Sequence, residues 1–139
     1  MTGEELNSFL SQKHNAIIGV NRPGKSPQLT PVWYSWDGEA FLFSTARDRA
    51  KYPNIKRDPS ISLIVDDVKD HTYVVATGDA EIIEENVAHL SRPILAKYLP
   101  PERLEQSMGM VEDPTRVLVR LRPSKLLVNG TSVEVPAIA

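Results

Sequence analysis

Ser44, Thr45, Arg47, Arg49 and Lys51 follow directly on the aromatic run Phe41-Leu42-Phe43. Hydroxyls and cations packed this closely are suited to holding a phosphate. Lysine brings a point charge, arginine a planar fork of donors, and the hydroxyls add directed hydrogen bonds. The next residues read as a short helix. Pro53 lacks a backbone N–H and belongs in its first turn, and Asp58-Pro59 ends it, because a residue before proline avoids helical geometry. A helix start adds free N–H groups and the positive end of a dipole. The same cations also fit a solvated helix face, as most charge runs do. Upstream, Thr30-Pro31-Val32 offers a flat, partly apolar strand. Pro31 leaves that strand poor in donors, which suits the rim of a planar ring but equally suits a plain edge strand.

Other chemistries are excluded by composition. The chain has no cysteine, so disulfides, thiolate metal sites and cysteine nucleophiles are ruled out. His14, His71 and His89 are far apart and show no metal-ligand spacing. A formal net charge of -2 gives no general attraction to nucleic acid. The acidic start Met1-Thr2-Gly3-Glu4-Glu5 does not resemble a signal peptide, and no apolar run approaches a membrane span. The expectation is a cytoplasmic protein. Its 139 residues are read as one domain, 1–139.

The elements that position these residues follow from periodicity. Thr2 and Glu5 form a capping box for a helix burying Leu6, Phe9 and Leu10. Ala16 to Val20 is a buried strand, and Arg22 to Ser26 is a turn. From Gln28 to Trp36 the chain alternates as one strand, with Leu29, Pro31 and Trp33 on one side and Tyr34 and Trp36 on the other. Trp33 is expected in the core, and Tyr34 is the local candidate for a proton donor. Asp37-Gly38 signals a two-residue hairpin into a strand from Glu39 to Thr45. Ser60 to Val65 and Thr72 to Ile83 are strands, with Gly78 a bulge or a point of close approach. Val87, Leu90, Ile94 and Tyr98 recur at helical spacing, with Pro93 expected to kink or divide that helix. Pro101 to Met108 is a second helix. Arg116 to Arg122 alternates with one apolar and one mostly basic face. Leu126 to Val128 is a last strand. Roughly six or seven strands joined by tight turns, with inserted helices, predict an antiparallel barrel or sandwich, mainly β with helices (α+β). The stretch from Glu84 to Thr115 is a candidate lid or specificity segment.

The order of Thr30-Pro31-Val32-Trp33-Tyr34, Phe41 to Thr45, Arg49-Ala50-Lys51, Asn54 to Pro59 and the late strand Arg116 to Leu121 resembles a known family. It is similar to the split-barrel flavin and deazaflavin oxidoreductases, the pyridoxamine-phosphate-oxidase-like superfamily, and within it to the enzymes that use coenzyme F420. The likeness runs over about residues 14 to 128. It implies a six-stranded antiparallel split β-barrel of the FMN-binding type, working as a homodimer with the cofactor at the subunit interface. It also implies a cofactor phosphate at Lys51, near Ser44, Thr45, Arg47 and Arg49, with the ring along Thr30, Pro31 and Val32. The implied activity is hydride transfer from coenzyme F420 to a conjugated small molecule. A deazaflavin has carbon where a flavin has its N5 nitrogen, so a reductase is expected rather than an oxidase. FMN is the alternative cofactor, and a non-catalytic carrier the alternative role. Neither a nucleic acid nor a membrane is implied as a partner.

Overall fold

The computed structural model describes residues 1–135. The capping box is formed: the Thr2 N–H donates to Glu5 Oε1 at 2.9 Å, and the Glu5 N–H to Thr2 Oγ1 at 3.1 Å. It opens α1 (Gly3–Ser11), whose Leu6, Phe9 and Leu10 are buried. There follow β1 (Ala16–Arg22), β2 (Lys25–Val32), β3 (Tyr34–Trp36), β4 (Phe41–Ala46), α2 (Lys51–Arg57), β5 (Ser60–Asp67) and β6 (Thr72–Ile83). After them come α3 (Val87–Tyr98), α4 (Pro101–Met108), a single 3-10 turn (Met110–Glu112), β7 (Arg116–Leu121), β8 (Lys125–Val128) and β9 (Thr131–Val133).

Seven strands form one antiparallel path, β2-β1-β5-β6-β7-β4-β3, and β8 pairs with β6 and β9. The end strands of that path, β2 and β3, are consecutive in the chain and meet at Trp33. The sheet therefore curls until its ends touch, and backbone at Trp33, not a ladder of hydrogen bonds, closes the barrel. Among the described residues β2 pairs only with β1, and β3 only with β4. This is a split barrel. Its interior is filled by Ile18, Tyr34, Phe41, Phe43, Leu63, Leu121 and Leu126, with Phe9 and Leu10 of α1 packed on the same core. Each such side chain contributes about 1.5–3 kcal/mol.

The single strand expected from Gln28 to Trp36 is two strands, broken at Trp33. Alternation continues across the break, from half-buried Val32 to buried Tyr34, so periodicity carries no sign that the pairing partner changes. This split, and the added β9, bring the count to nine strands among the described residues. Asp37-Gly38 does not make a two-residue turn. Trp36 pairs with Phe41, leaving a four-residue loop in which Asp37 Oδ1 accepts from the N–H groups of Glu39 and Ala40, both at 2.8 Å. The carboxylate thus stabilises a longer turn than the dipeptide alone suggests.

Gly78 is a point of close approach. β6 pairs with β8 as far as Thr77 and with β7 from Ala80, so it passes from one half of the barrel to the other at this residue. A Cβ there would lie 3.0 Å from the Arg122 carbonyl oxygen and 3.1 Å from the Ser124 nitrogen. On the outer face, Ile94 and Tyr98 of α3 pack with Leu118 of β7, and Leu42 and Leu90 extend that contact. α3 runs through Pro93 undivided. Pro93 and His89, whose carbonyl loses its helical donor, are both exposed, so that carbonyl is open to solvent.

Candidate active site

A groove of about 540 Å³ opens where the barrel is split. Thr30, Pro31, Val32 and Trp33 of the seam form one side, and Ser44 and Thr45 lie at the end of β4. Arg49 and Lys51 stand where α2 begins, and Arg116 lies at the start of β7. The opposite wall is the segment read as a lid: Ile94, Leu95 and Leu99 around the end of α3, with Arg103, Ser107 and Met110 beyond it. Helix packing explains this wall, because the Ile94–Tyr98–Leu118 cluster seats α3 beside β4 and β7.

Two features set the groove apart. Ser44 Oγ and Thr45 Oγ1 are buried without a hydrogen-bond partner among the described residues, and Thr45 is only 3% exposed. Such a group costs about 1–3 kcal/mol if left unsatisfied. In addition, Arg49, Lys51, Arg103 and Arg116 make no ion pair among the described residues, whereas Arg92 pairs with Glu105, and Arg120 and Arg122 pair with Glu81. The basic face of β7 thus divides: Arg116 faces the groove, and its neighbours serve surface salt bridges. Burial, then the neighbouring charge of Arg49, holds the Lys51 ammonium below its ordinary range. α2 has only seven residues and no side-chain cap, so the polar end of the groove rests on side chains more than on a helix dipole.

Arg47 lies elsewhere. Its N–H donates to the Thr115 carbonyl at 2.8 Å, and its guanidinium reaches the Pro114 carbonyl and Glu84, the latter at 3.4 Å. The Tyr52 hydroxyl donates to the same Glu84 carboxylate at 2.8 Å, and this bond is the main cause holding that carboxyl below its usual range. Arg47 therefore ties together the two ends of the 84–115 segment, and sequence position alone does not separate it from the groove cations. Trp33 also departs from expectation. It is 42% exposed, not in the core, and stacks on Tyr98 at 4.8 Å with an interplanar angle of 4°. Tyr34, the local candidate for a proton donor, is not part of the groove lining. It is fully buried, its hydroxyl donates to the Leu10 carbonyl at 2.9 Å, and burial raises its pKa further. Leu95, Leu99, Arg103 and Met110 carry no local sequence signal beyond membership of that lid segment.

Lys97 is a half-buried cation on the far side of this wall. It donates to the carbonyls of Leu10 (3.0 Å) and Tyr34 (3.3 Å) and sits 3.6 Å above the Tyr34 ring. Burial pulls its pKa from the ordinary 10.5 down to about 8. The unfolded chain therefore binds this proton more tightly than the folded one. Between about pH 8 and 10.5 stability should rise with pH, because the folded state sheds the proton first. Urea titrations across that window should show the rise in the natural chain and not in Lys97→Met. Parallel profiles would refute the assignment.

Known proteins share this fold. A family model described as pyridoxamine 5'-phosphate oxidase matches residues 2–129. An F420 reductase is 25% identical over 87% of this chain and 94% of its own, with a TM-score of 0.70. A conserved hypothetical protein from Mycobacterium tuberculosis matches at 24% identity, covering 100% of this chain and 91% of that one, with a TM-score of 0.78. General stress protein 26 from Bacillus anthracis matches at 17% identity over 96% and 98%, with a TM-score of 0.74. The last two likenesses concern the fold alone. The architecture is that of the split-barrel proteins, which bind flavin-type cofactors. The chain belongs to the pyridoxamine 5'-phosphate oxidase family, whose members are in general oxidoreductases. Among the described residues no helix is long and apolar enough to cross a membrane.

Proposed function

We propose that the protein is a reductase that uses coenzyme F420 to deliver hydride to a conjugated small molecule, and that it works as a homodimer with the cofactor at the subunit interface. The observation that carries this reading is the pair of partnerless hydroxyls, Ser44 and Thr45, set among unpaired cations beside the Pro31 strand. These residues fit a flavin-type cofactor. Lys51 and Arg49 suit its phosphate, the two hydroxyls suit its polar chain, and Thr30, Pro31 and Val32 offer a donor-poor edge to its ring. Coenzyme F420 is favoured over FMN by the likeness to an F420 reductase across most of both chains. When bound, the coenzyme supplies a two-electron hydride donor, so the chain's task is to bind, orient and exclude water. Proteins of this fold are often dimers, which supports the assembly. Cytoplasmic residence is part of the proposal.

The test is a side-by-side titration of cofactor-free protein with coenzyme F420 and FMN. The expected result is micromolar or tighter binding of F420 and weaker binding of FMN. The reverse order would reassign the cofactor to FMN. Binding without turnover of any electrophile would point to a carrier.

A further inference from the structure

We propose that the acceptor is itself an anion: a planar conjugated acid whose flat part lies on the Trp33 indole and whose carboxylate is held by Arg103 and Lys13. This deepens the reductase reading and rests on it. A second depression of about 470 Å³ includes Lys13, His14, Asn15 and Tyr98 in its lining and shares Trp33, Leu99 and Arg103 with the main groove. The two therefore adjoin at Trp33, Leu99 and Arg103. Every charged side chain lining either depression is a cation: Lys13, Arg49, Lys51, Arg103 and Arg116. Neither is lined by an aspartate or glutamate, in a chain with 18 acids and 16 bases. Such a one-sided trough concentrates field and selects anions.

A cofactor phosphate would take the cations near Lys51. Lys13 and Arg103, which line the second depression together, have no ion-pair partner among the described residues. His14 Nε2, which lines the same depression, is buried without a partner among the described residues. Trp33 lines both depressions; Tyr98 stacks on one face of its indole, and its exposure leaves area for an offset-stacked ring. An exposed indole and two cations lining a depression that adjoins the cofactor groove suit a conjugated acid.

The test uses 2-naphthoate and its methyl ester as matched planar probes, without cofactor. Binding is read by Trp33 fluorescence in a Trp36→Phe background and, on the unaltered chain, by calorimetry. The acid should bind about tenfold more tightly than the ester, an advantage lost in Lys13→Gln and in Arg103→Gln. Lys13→Gln should leave F420 affinity unchanged. Equal binding of acid and ester would overturn the inference. So would a Lys13→Gln protein that loses F420 affinity and keeps its preference for naphthoate, since the cation would then serve the cofactor. A chain that binds naphthoate but neither F420 nor FMN would sink the reductase reading alone.

Discussion

Lys51→Ala should weaken F420 binding by about 10- to 100-fold, corresponding to the roughly 1.5–3 kcal/mol carried by a hydrogen bond to a charged group. It should do so without lowering thermal stability. Those two effects together separate a ligand cation from a structural one. The ammonium is half-buried, burial lowers its pKa, and Arg49 lowers it further. No carboxylate pairs with it among the described residues. In the empty protein Lys51 is thus a partly desolvated charge without compensation, and deleting it relieves strain on the fold. Lys56, exposed on the same helix and lying 4.9 Å over the Tyr52 ring, is the control, and its alanine variant should bind F420 normally. Fluorescence titration and a melting curve on each variant decide the matter. Unchanged affinity in Lys51→Ala would remove the phosphate corner and the function built on it.

Gly78→Ala should cost about 1–3 kcal/mol, a loss on the order of 5–10 °C in melting temperature. The cause is steric. Backbone atoms of Arg122 and Ser124 lie 3.0 and 3.1 Å from the position the new methyl would take, and backbone cannot swing aside as a side chain can. Gly3→Ala is the matched control, because nothing lies within 4 Å of its added carbon. Differential scanning calorimetry of both variants is sufficient. A Gly78→Ala protein as stable as the parent would mean that the strands part easily where β6 crosses between barrel halves.

Gly78 also shows which parts of the structure were legible in the sequence. A glycine inside a long β-branched strand has few explanations, and the close approach is the one observed. The capping box, the late start of α2 and the clustering of hydroxyls with Lys51 were legible for the same reason: each is local chemistry with a narrow set of geometries. Trp33 was not. Its placement depends on β2 and β3 pairing with different neighbours, a long-range choice that leaves no mark on alternation. Arg47 could not be told from Arg49, because two arginines two residues apart look alike until the chain turns after Ala46. One then faces the groove, and the other reaches Glu84 and Pro114. The groove wall from α3 and α4 was legible only as a segment, since its residues gain meaning from packing on Leu118.

The free outer edge of β2 has a consequence for the protein when it is empty. An exposed strand edge invites addition of a foreign strand, the first step of domain exchange or fibrous aggregation. Lys25, Pro27 and Pro31 along β2 interrupt that template with charge and with missing donors. The prolines that make this border suitable for a planar ring thus also keep it from adhering to its own kind.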